Sequence, residues 1–303
     1  LRKNANNGRW VTIMKMRNIV AQKADIAQLK KNANVNVVNA VSNRIIYLHI
    51  DSDRDVTPNV TAKDGKEIKN PFKDVRVRQA ISMAINRQAI VDRVMEGIAI
   101  PAGQLLPNGF FGVSPNIQVP TYNPQGAKKL LEEAGYPNGF KVTIHGPNDR
   151  YINDAQIVQA VAQMLSRIGV EAAVDTMPRS TFFSRASKLE FSLLLVGWGS
   201  GTGEASSPLK SLLATFNRET GMGPSNRGRY SNKEFDETLA KALVTVDDSA
   251  REKLLQKATE IAMADVGLIP LHYEVSTWAT RKGLTYIGRS DQGTLATYVR
   301  VAN

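Results

Sequence analysis

Apolar residues recur with two different spacings along this chain, and the spacing alternates from one segment to the next. Residues 141–145, 170–176 and 191–196 are short runs rich in β-branched and other apolar residues, which is typical of strands. Residues 154–168 and 180–188 lie between these runs and carry apolar positions three and four residues apart, as helices do when one face packs on a core. The resulting β-α-β-α-β order predicts an α/β lobe with helices on the faces of its sheet.

Residues 122–140 show how the helix ends are marked in the sequence. Asn123 can accept a hydrogen bond from the first turn, and Pro124 has the backbone angle that this turn requires, so a helix is predicted to begin here. Gly135 is the residue type that most easily adopts the left-handed conformation after a helix. The turn at 136–139 then leads into the strand at 141–145.

The same reasoning predicts the other elements. Asp74 and Ser180 are expected to cap helices, and Ser231 with Glu234 has the spacing of a capping box. Residues 51–70 are predicted to be a loop or a crossing point between two lobes. The remaining elements are, in chain order, a helix at 24–34, strands at 35–38 and 44–50, a helical segment at 71–97, an extended segment at 98–121, helices at 231–244 and 249–264, and strands at 268–274 and 276–281.

The composition is that of a globular protein with more than one core. The chain has 303 residues, of which 42% are hydrophobic. No apolar run reaches the roughly 18 residues that a membrane-spanning helix needs. There is no cysteine, which excludes disulfides, thiolate metal sites and a cysteine nucleophile. The first residues, LRKNAN, lack the apolar stretch of a secretory signal peptide, and the chain is expected to begin inside a longer protein.

The net charge of +11 is distributed unevenly. Residues 1–50 contain nine Lys or Arg and a single acid, Asp25, so eight of the eleven charges lie there and the other 253 residues carry only +3. A nucleic-acid-binding face usually places its basic residues on the folded body together with aromatic residues. We therefore expect a solvated basic segment and no nucleic-acid partner.

The histidines give no sign of catalysis or of metal binding. His49, His145 and His272 are the only three, and each lies in a predicted strand without another histidine or a carboxylate at a helical ligand spacing. They are expected to be hydrogen-bonded strand residues. The sequence thus predicts no metal, no cofactor and no histidine-dependent reaction.

The glycine-rich segment GWGSGTG, at 197–203, directly follows the apolar strand at 191–196. It does not match a dinucleotide-binding loop, because Thr202 stands where the third glycine is required, and it contains no phosphate-loop lysine. Ligands of open α/β sheets bind beyond the carboxyl ends of strands. Trp198 offers a flat contact surface and the glycines allow close approach to the backbone, so the segment predicts a binding loop. The alternative is a core tryptophan followed by an ordinary loop.

Five segments carry a recognisable pattern in a consistent order along the chain. They are ADIAQLKKNANVNVV (24–38), PFKDVRVRQAISMAINRQAIV (71–91), YNPQGAKKLLEEAGYPNGF (122–140), FSLLLVGW (191–198) and GRYSNKEFDETLAKAL through IPLHYE (228–274). Taken together, these segments resemble the bacterial extracellular solute-binding proteins of family 5, the peptide, nickel and glutathione receptors of ABC importers. The resemblance begins at about residue 24 and continues to the end of the chain.

The resemblance implies the two-lobed, type II-like fold of periplasmic binding proteins. Family members are much longer than this chain, so one lobe is expected to be complete at 51–272. Residues 1–50 would then be part of the other lobe, and residues 273–303 would return to it. The resemblance also implies a periplasmic receptor that takes a peptide or other small solute into a cleft between the lobes. It would deliver this solute to a membrane permease and touch the membrane only through that partner.

The binding residues implied by the resemblance lie around the glycine-rich loop. Trp198 would pack on the solute, and the backbone of Gly199, Ser200 and Gly201 would donate or accept hydrogen bonds. Tyr47, on the expected crossing strand, would line the cleft.

Peptide-binding members of the family hold the solute's α-ammonium with an aspartate three residues after the tryptophan, and that position is Gly201 in this chain. Glu204 would then answer a solute cation, or else serve as a structural carboxylate of the loop. The sequence leaves both roles open.

Two alternatives from other classes remain. A hydrolase would use Glu204 or Asp175 as its base, although no nucleophile paired with a base is visible. A basic interaction module would use the first 50 residues on an acidic partner, and its binding would weaken steeply with ionic strength.

Overall fold

The computed structural model describes residues 2–3, 10–11, 14–16 and 22–302. Part of the basic amino-terminal segment, and with it part of the predicted first lobe, therefore lies outside the described residues. The strands are, in chain order, β1 (Arg2–Lys3), β2 (Trp10–Val11), β3 (Met14–Met16), β4 (Val35–Ile50), β5 (Val60–Thr61), β6 (Ala99–Pro101), β7 (Lys141–Pro147), β8 (Glu171–Met177), β9 (Leu193–Gly199), β10 (Ile269–Arg281), β11 (Leu284–Tyr286) and β12 (Val299–Val301). The α-helices are α1 (Gln22–Lys31), α2 (Val75–Ala84), α3 (Arg87–Ala89), α4 (Pro124–Glu133), α5 (Asp154–Ser166), α6 (Arg179–Ser187), α7 (Ser206–Pro208), α8 (Lys233–Val244) and α9 (Asp248–Ala264). Short 3₁₀ helices lie at Pro71–Lys73 and Ala296–Tyr298, and π-helical turns at Ile90–Val94 and Leu209–Leu213.

Most of these strands join one mixed sheet. Its strand order is β3-β10-β4-β9-β7-β5, and β6 also pairs with β10 and β8 with β7. β8, β7 and β9 run parallel, whereas β4 is antiparallel to both β9 and β10. α5 joins β7 to β8, and α6 joins β8 to β9. These helical crossovers between parallel strands confirm the predicted α/β class.

The sheet separates two hydrophobic cores. Along β4, Ile46 and Leu48 belong to one core, whereas Ile45 and Tyr47 belong to the other, because alternate side chains of a strand point to opposite faces. α2, α4 and α5 cover the first face, and α6, α8 and α9 cover the second. Both faces of β9 are thus buried, which is why the strand is a continuous apolar run and not an alternating one.

β4 and β10 are long single strands where the sequence predicted two strands each. Between the predicted halves of β4 the polar Asn39 looks like an interruption, but it pairs across the sheet. Thr277 of β10 lies opposite Asn39 and donates a hydrogen bond from Oγ1 to Asn39 Oδ1 at 2.9 Å. β10 accommodates Pro270 through register irregularities between Pro270 and His272 and between Tyr273 and Val275. Tertiary pairing therefore satisfies polar groups that the local pattern assigned to a break.

Asn123 and Asp74 are helix caps as predicted. The Asn123 side chain accepts a hydrogen bond from the Gly126 amide at 2.9 Å, and Asp74 accepts one from the Arg76 amide at 2.8 Å. The helical segment predicted at 71–97 is interrupted after α2, where Asn86 caps a second helical turn through a 2.8 Å bond from the Ala89 amide.

The other two predicted caps are wrong. α6 begins directly after Pro178, so Ser180 lies inside its first turn. α8 is capped by Asn232, which accepts a bond from the Phe235 amide at 3.0 Å, and the Ser231 hydroxyl instead bonds Thr215 at 2.8 Å. Ser231 and Asn232 are adjacent, and both are residue types that cap helices. The capping-box spacing of Ser231 and Glu234 predicted the cap one position too early.

The lobe boundaries predicted at residues 50 and 272 fall at the end of β4 and within β10. The division of the chain into a complete and a partial lobe stays a prediction. In the part of the chain that the structure describes, no helix is both long and apolar enough to span a bilayer.

Candidate functional site

The loop that follows β9 forms one wall of an open pocket. β9 ends at Gly199, which lies opposite Arg44 of β4, and residues 199–203 continue past the edge of this pair. The segment 288–292 forms another wall, and the volume of the pocket is about 540 Å³. The lining residues are Asn43, Arg44, Gly199, Ser200, Gly201, Thr202, Gly203, Gly288, Arg289, Ser290, Asp291, Gln292 and Tyr298. The pocket thus includes three of the predicted binding residues, Gly199, Ser200 and Gly201.

Asn43 holds both walls of this pocket. Its backbone amide donates to the Ser290 carbonyl oxygen at 2.9 Å, and its side-chain Nδ2 donates to the Ser200 carbonyl oxygen at 2.6 Å. The residue is 6% exposed, so both bonds are shielded from water. The glycine-rich loop and the carboxyl-terminal segment are therefore positioned by one residue of β4.

Ser200 and Gly201 play different parts in the loop. The Ser200 hydroxyl accepts a hydrogen bond from the Gly203 amide at 3.2 Å and donates to the Glu204 carbonyl oxygen at 3.2 Å, so this buried side chain shapes the loop. Gly201 is exposed, and a β-carbon added to it would meet no atom within 4 Å. Position 201 therefore has room for a side chain facing a solute.

Trp198 and Tyr47 do not line the pocket. Trp198 lies opposite Ile45 on the face of the sheet that carries the second core, whereas Arg44 and Gly199 lie on the other face. Its ring is partly buried, and Nε1 has no hydrogen-bond partner among the described residues. Tyr47 is 1% exposed within the same core, and burial raises the pKa of its hydroxyl. The structure therefore packs Tyr47 inside the lobe and outside this pocket, and its predicted role in the cleft stays a prediction.

The sequence left two roles open for Glu204, a contact with a solute cation and a structural carboxylate of the loop. Its contacts favour the structural role. Its Oε1 lies 2.6 Å from Nη2 of Arg251 on α9 and also accepts a hydrogen bond from the Ser206 hydroxyl. Burial alone would raise the pKa of this carboxyl, but the hydrogen bonds from Arg251 and Ser206 and the charge of Arg251 hold it below its ordinary value. The carboxylate thus joins the loop to α9 and is not among the pocket's lining residues.

We expect Glu204→Gln to lower the free energy of unfolding by about 1 kcal/mol, since the ion pair is only partly buried. Solute affinity should stay within about threefold of the native value. Chemical denaturation and calorimetric titration measure the two quantities. A loss of affinity without a loss of stability would instead make Glu204 a solute contact.

Asp175, the other candidate base of the hydrolase alternative, lies close to a histidine and an arginine. Asp175 on β8 lies beside His145 of β7, with Oδ2 3.6 Å from His145 Nε2 and 3.8 Å from Nη1 of Arg185. His145 stacks on Phe191 at a ring distance of 4.1 Å. Among the described residues, no group of three or more histidine, aspartate or glutamate side chains is arranged to hold a metal ion.

The sequence did not predict the charged residues of the pocket, Arg44, Arg289 and Asp291, or the polar residue Gln292. Arg44 could have been found from the strand pattern, because it stands at the start of the apolar run of β4 and pairs with the end of β9. The residues at 289–292 carry no such signal, since their contribution depends on how the chain returns to the sheet.

With this geometry in place, the comparisons with known proteins identify the family. The family model for the middle region of bacterial extracellular solute-binding proteins, family 5, matches residues 16–220. The chain belongs to this family.

Relatives of this chain include a glutathione-binding protein and two proteins of solved structure. The glutathione-binding protein GsiB of Salmonella typhimurium is 33% identical over 267 residues, which cover 86% of this chain and 48% of that protein. HbpA2 from Haemophilus parasuis superimposes with a TM-score of 0.78 at 26% identity, covering 92% of this chain and 52% of that one. The dipeptide binding protein from Pseudoalteromonas sp. SM9913, solved in complex with Met-Leu, gives a TM-score of 0.73 at 25% identity over the same shares.

The chain thus spans about half the length of the relatives that it matches. Its fold is that of part of a two-lobed periplasmic binding protein, as the resemblance implied.

Proposed function

We propose that this chain forms part of the solute-binding cleft of a periplasmic receptor for an ABC importer, and that the solute is a peptide or a small peptide-like molecule. The observation that carries this proposal is the pocket beside the end of β9, whose walls are a glycine-rich loop and the segment 288–292. Such a loop exposes backbone donors and acceptors, which is what recognition of peptide groups requires. Relatives that bind glutathione and a dipeptide support the same solute class.

In this proposal the solute bridges the pocket and a facing lobe. A solute that contacts both lobes favours the closed state by its higher affinity for that state. The closed receptor would then present the solute to a membrane permease. No reaction is required of the pocket, whose lining contains no paired nucleophile and base within the described residues.

Calorimetric titration of the chain with Met-Leu and with glutathione tests the proposal. We expect saturable binding of at least one of them, with one solute per chain. The same solutes incubated with the chain should survive unchanged in mass spectrometry. Hydrolysis of either would favour the enzyme, and failure of both to bind would contradict the proposed function.

Gly201→Asp tests whether the loop faces the solute's amino end. The added carboxylate has free space and would form a charge-assisted bond with an α-ammonium. We expect the preference for Met-Leu over its N-acetyl derivative to rise about fivefold, which corresponds to roughly 1 kcal/mol.

Gly201→Asn is the matched control, because it adds the same shape without the charge. Its preference should change by less than about twofold. An unchanged preference in both variants would place the amino end of the solute away from this loop.

A further inference from the structure

Arg44 is held in the pocket by the backbone geometry of β9. It lies directly opposite Gly199 in the antiparallel pair of β4 and β9. A β-carbon added to Gly199 would stand 3.3 Å from Nη2 and 3.5 Å from Cζ of Arg44, so the guanidinium lies close against the α-carbon of this glycine. A side chain at 199 would stand against the guanidinium, which would have to shift by a few tenths of an ångström. The glycine therefore leaves room for Arg44 in its present position.

Two buried residues orient the guanidinium from behind. Nε of Arg44 lies 3.4 Å from Oε2 of Glu274 and 3.5 Å from Oε1 of Gln292. Nε2 of Gln292 donates to the same Glu274 oxygen at 2.8 Å, and Glu274 and Gln292 are 6% and 9% exposed. These contacts involve the inner edge of the guanidinium. Among the described residues neither η nitrogen of Arg44 makes a hydrogen bond, and both belong to a side chain that is 19% exposed at the pocket.

The acidic groups around the pocket are engaged by the protein. Asp291 accepts two hydrogen bonds from Arg289 and one from the Gly293 amide. Glu274 is bonded to Gln292 and faces Arg44, and Glu204 is paired with Arg251. Each of these carboxylates therefore already has a cationic or amide partner. The guanidinium of Arg44, in contrast, has hydrogen-bond donors that can face a solute. Such a surface suits an anionic group better than an ammonium.

We propose that Arg44 recognises a carboxylate of the solute through its two η nitrogens. This inference rests on the proposed function and specifies it further: the solute carries a carboxylate, and Arg44 is the residue that binds it. Glu274 and Gln292 are positioning residues that hold the guanidinium plane. Glu274 offsets the charge of Arg44, so the positive potential in the pocket is weak. The preference for a carboxylate therefore comes mainly from the two η nitrogens of Arg44, whose spacing matches the two carboxylate oxygens.

The test is a set of titrations with Met-Leu, its carboxamide and its N-acetyl derivative. For the native chain we expect the carboxamide to bind about tenfold more weakly than Met-Leu, and N-acetylation to change affinity by less than about threefold. In Arg44→Gln the acid and the amide should bind within about twofold of each other. Arg44→Lys, which keeps the charge but not the fork, should retain only part of the preference.

Arg93→Gln is the matched control, since Arg93 lies exposed in the turn Ile90–Val94, outside the pocket lining, and its loss should leave the preference unchanged. Thermal unfolding of each variant shows whether it folds. A full acid preference in Arg44→Gln, or an equal loss of acid and amide binding in it, would overturn the role of Arg44 and leave the proposed function standing. A native chain that binds none of the three probes would overturn both.

Discussion

Gly139→Ala should lower the free energy of unfolding by about 3 kcal/mol or more. Gly139 has φ of +67°, and a β-carbon there would stand against the carbonyl oxygen of Gly169 and 2.5 Å from its carbonyl carbon. These atoms belong to the backbone, so no side-chain rotation relieves the contact. The close approach joins the turn before β7 to the turn before β8, and these two strands form the parallel pair.

Gly135→Ala is the matched control for this substitution. Gly135 also has a positive φ, +92°, but no atom lies within 4 Å of an added β-carbon. The substitution therefore adds only the left-handed strain of a non-glycine residue, about 1 kcal/mol. Denaturant unfolding of both variants gives the comparison. Equal losses would show that the contact between the two turns relaxes without cost.

The stability of the protein should fall steeply between pH 6.5 and pH 4 because two histidines are buried in the neutral form. Burial lowers the pKa of His272 to about 4 and that of His49, together with the charge of Arg227, to about 3. The unfolded chain binds these protons near pH 6.5, so it gains protons that the folded chain does not. The stabilisation is complete above pH 6.5 and is lost as the pH falls below it. At pH 4.5 each histidine should account for about 2 kcal/mol.

His272→Leu isolates one of these contributions. Neither ring nitrogen of His272 has a hydrogen-bond partner among the described residues, so an apolar side chain of similar size loses no bond there. Urea unfolding at pH 7.5 and pH 4.5 should show a pH-dependent loss about 2 kcal/mol smaller in the variant than in the native chain. The same loss in both proteins would show that His272 does not take part in the acid effect.

The sequence predicted the fold wherever local chemistry and tertiary structure agree. Within the segment 122–140, Asn123 and Pro124 mark the start of a helix and Gly135 marks its end. α4 lies between these marks. Prediction failed where tertiary pairing overrides local pattern. β4 runs through Asn39 because Thr277 of β10 pairs with it, and no spacing along the chain reports that partner.

The candidate site was predicted only in part for a related reason. The glycine-rich loop could be located because it follows an apolar strand, and three of its residues line the pocket. Trp198 was also expected to face the solute. The alternation of β9 directs it to the opposite face from Arg44, and its role in solute binding stays a prediction. Arg289 and Asp291 are far from the loop in sequence, and only the return of the chain to the sheet brings them to the pocket.

Asn43 has a consequence for how the shape of the pocket can change. The glycine-rich loop and the segment 288–292 are distant in the chain, but both are bonded to Asn43. The loop accepts a hydrogen bond from the Asn43 side chain, and the segment accepts one from the Asn43 backbone amide. A substitution at position 43 removes the side-chain bond to Ser200 but leaves the backbone bond to Ser290, so only the glycine-rich loop loses its anchor. The anchoring of the glycine-rich loop to β4 therefore depends on one side chain, which a point mutation can remove without changing the sequence of either wall.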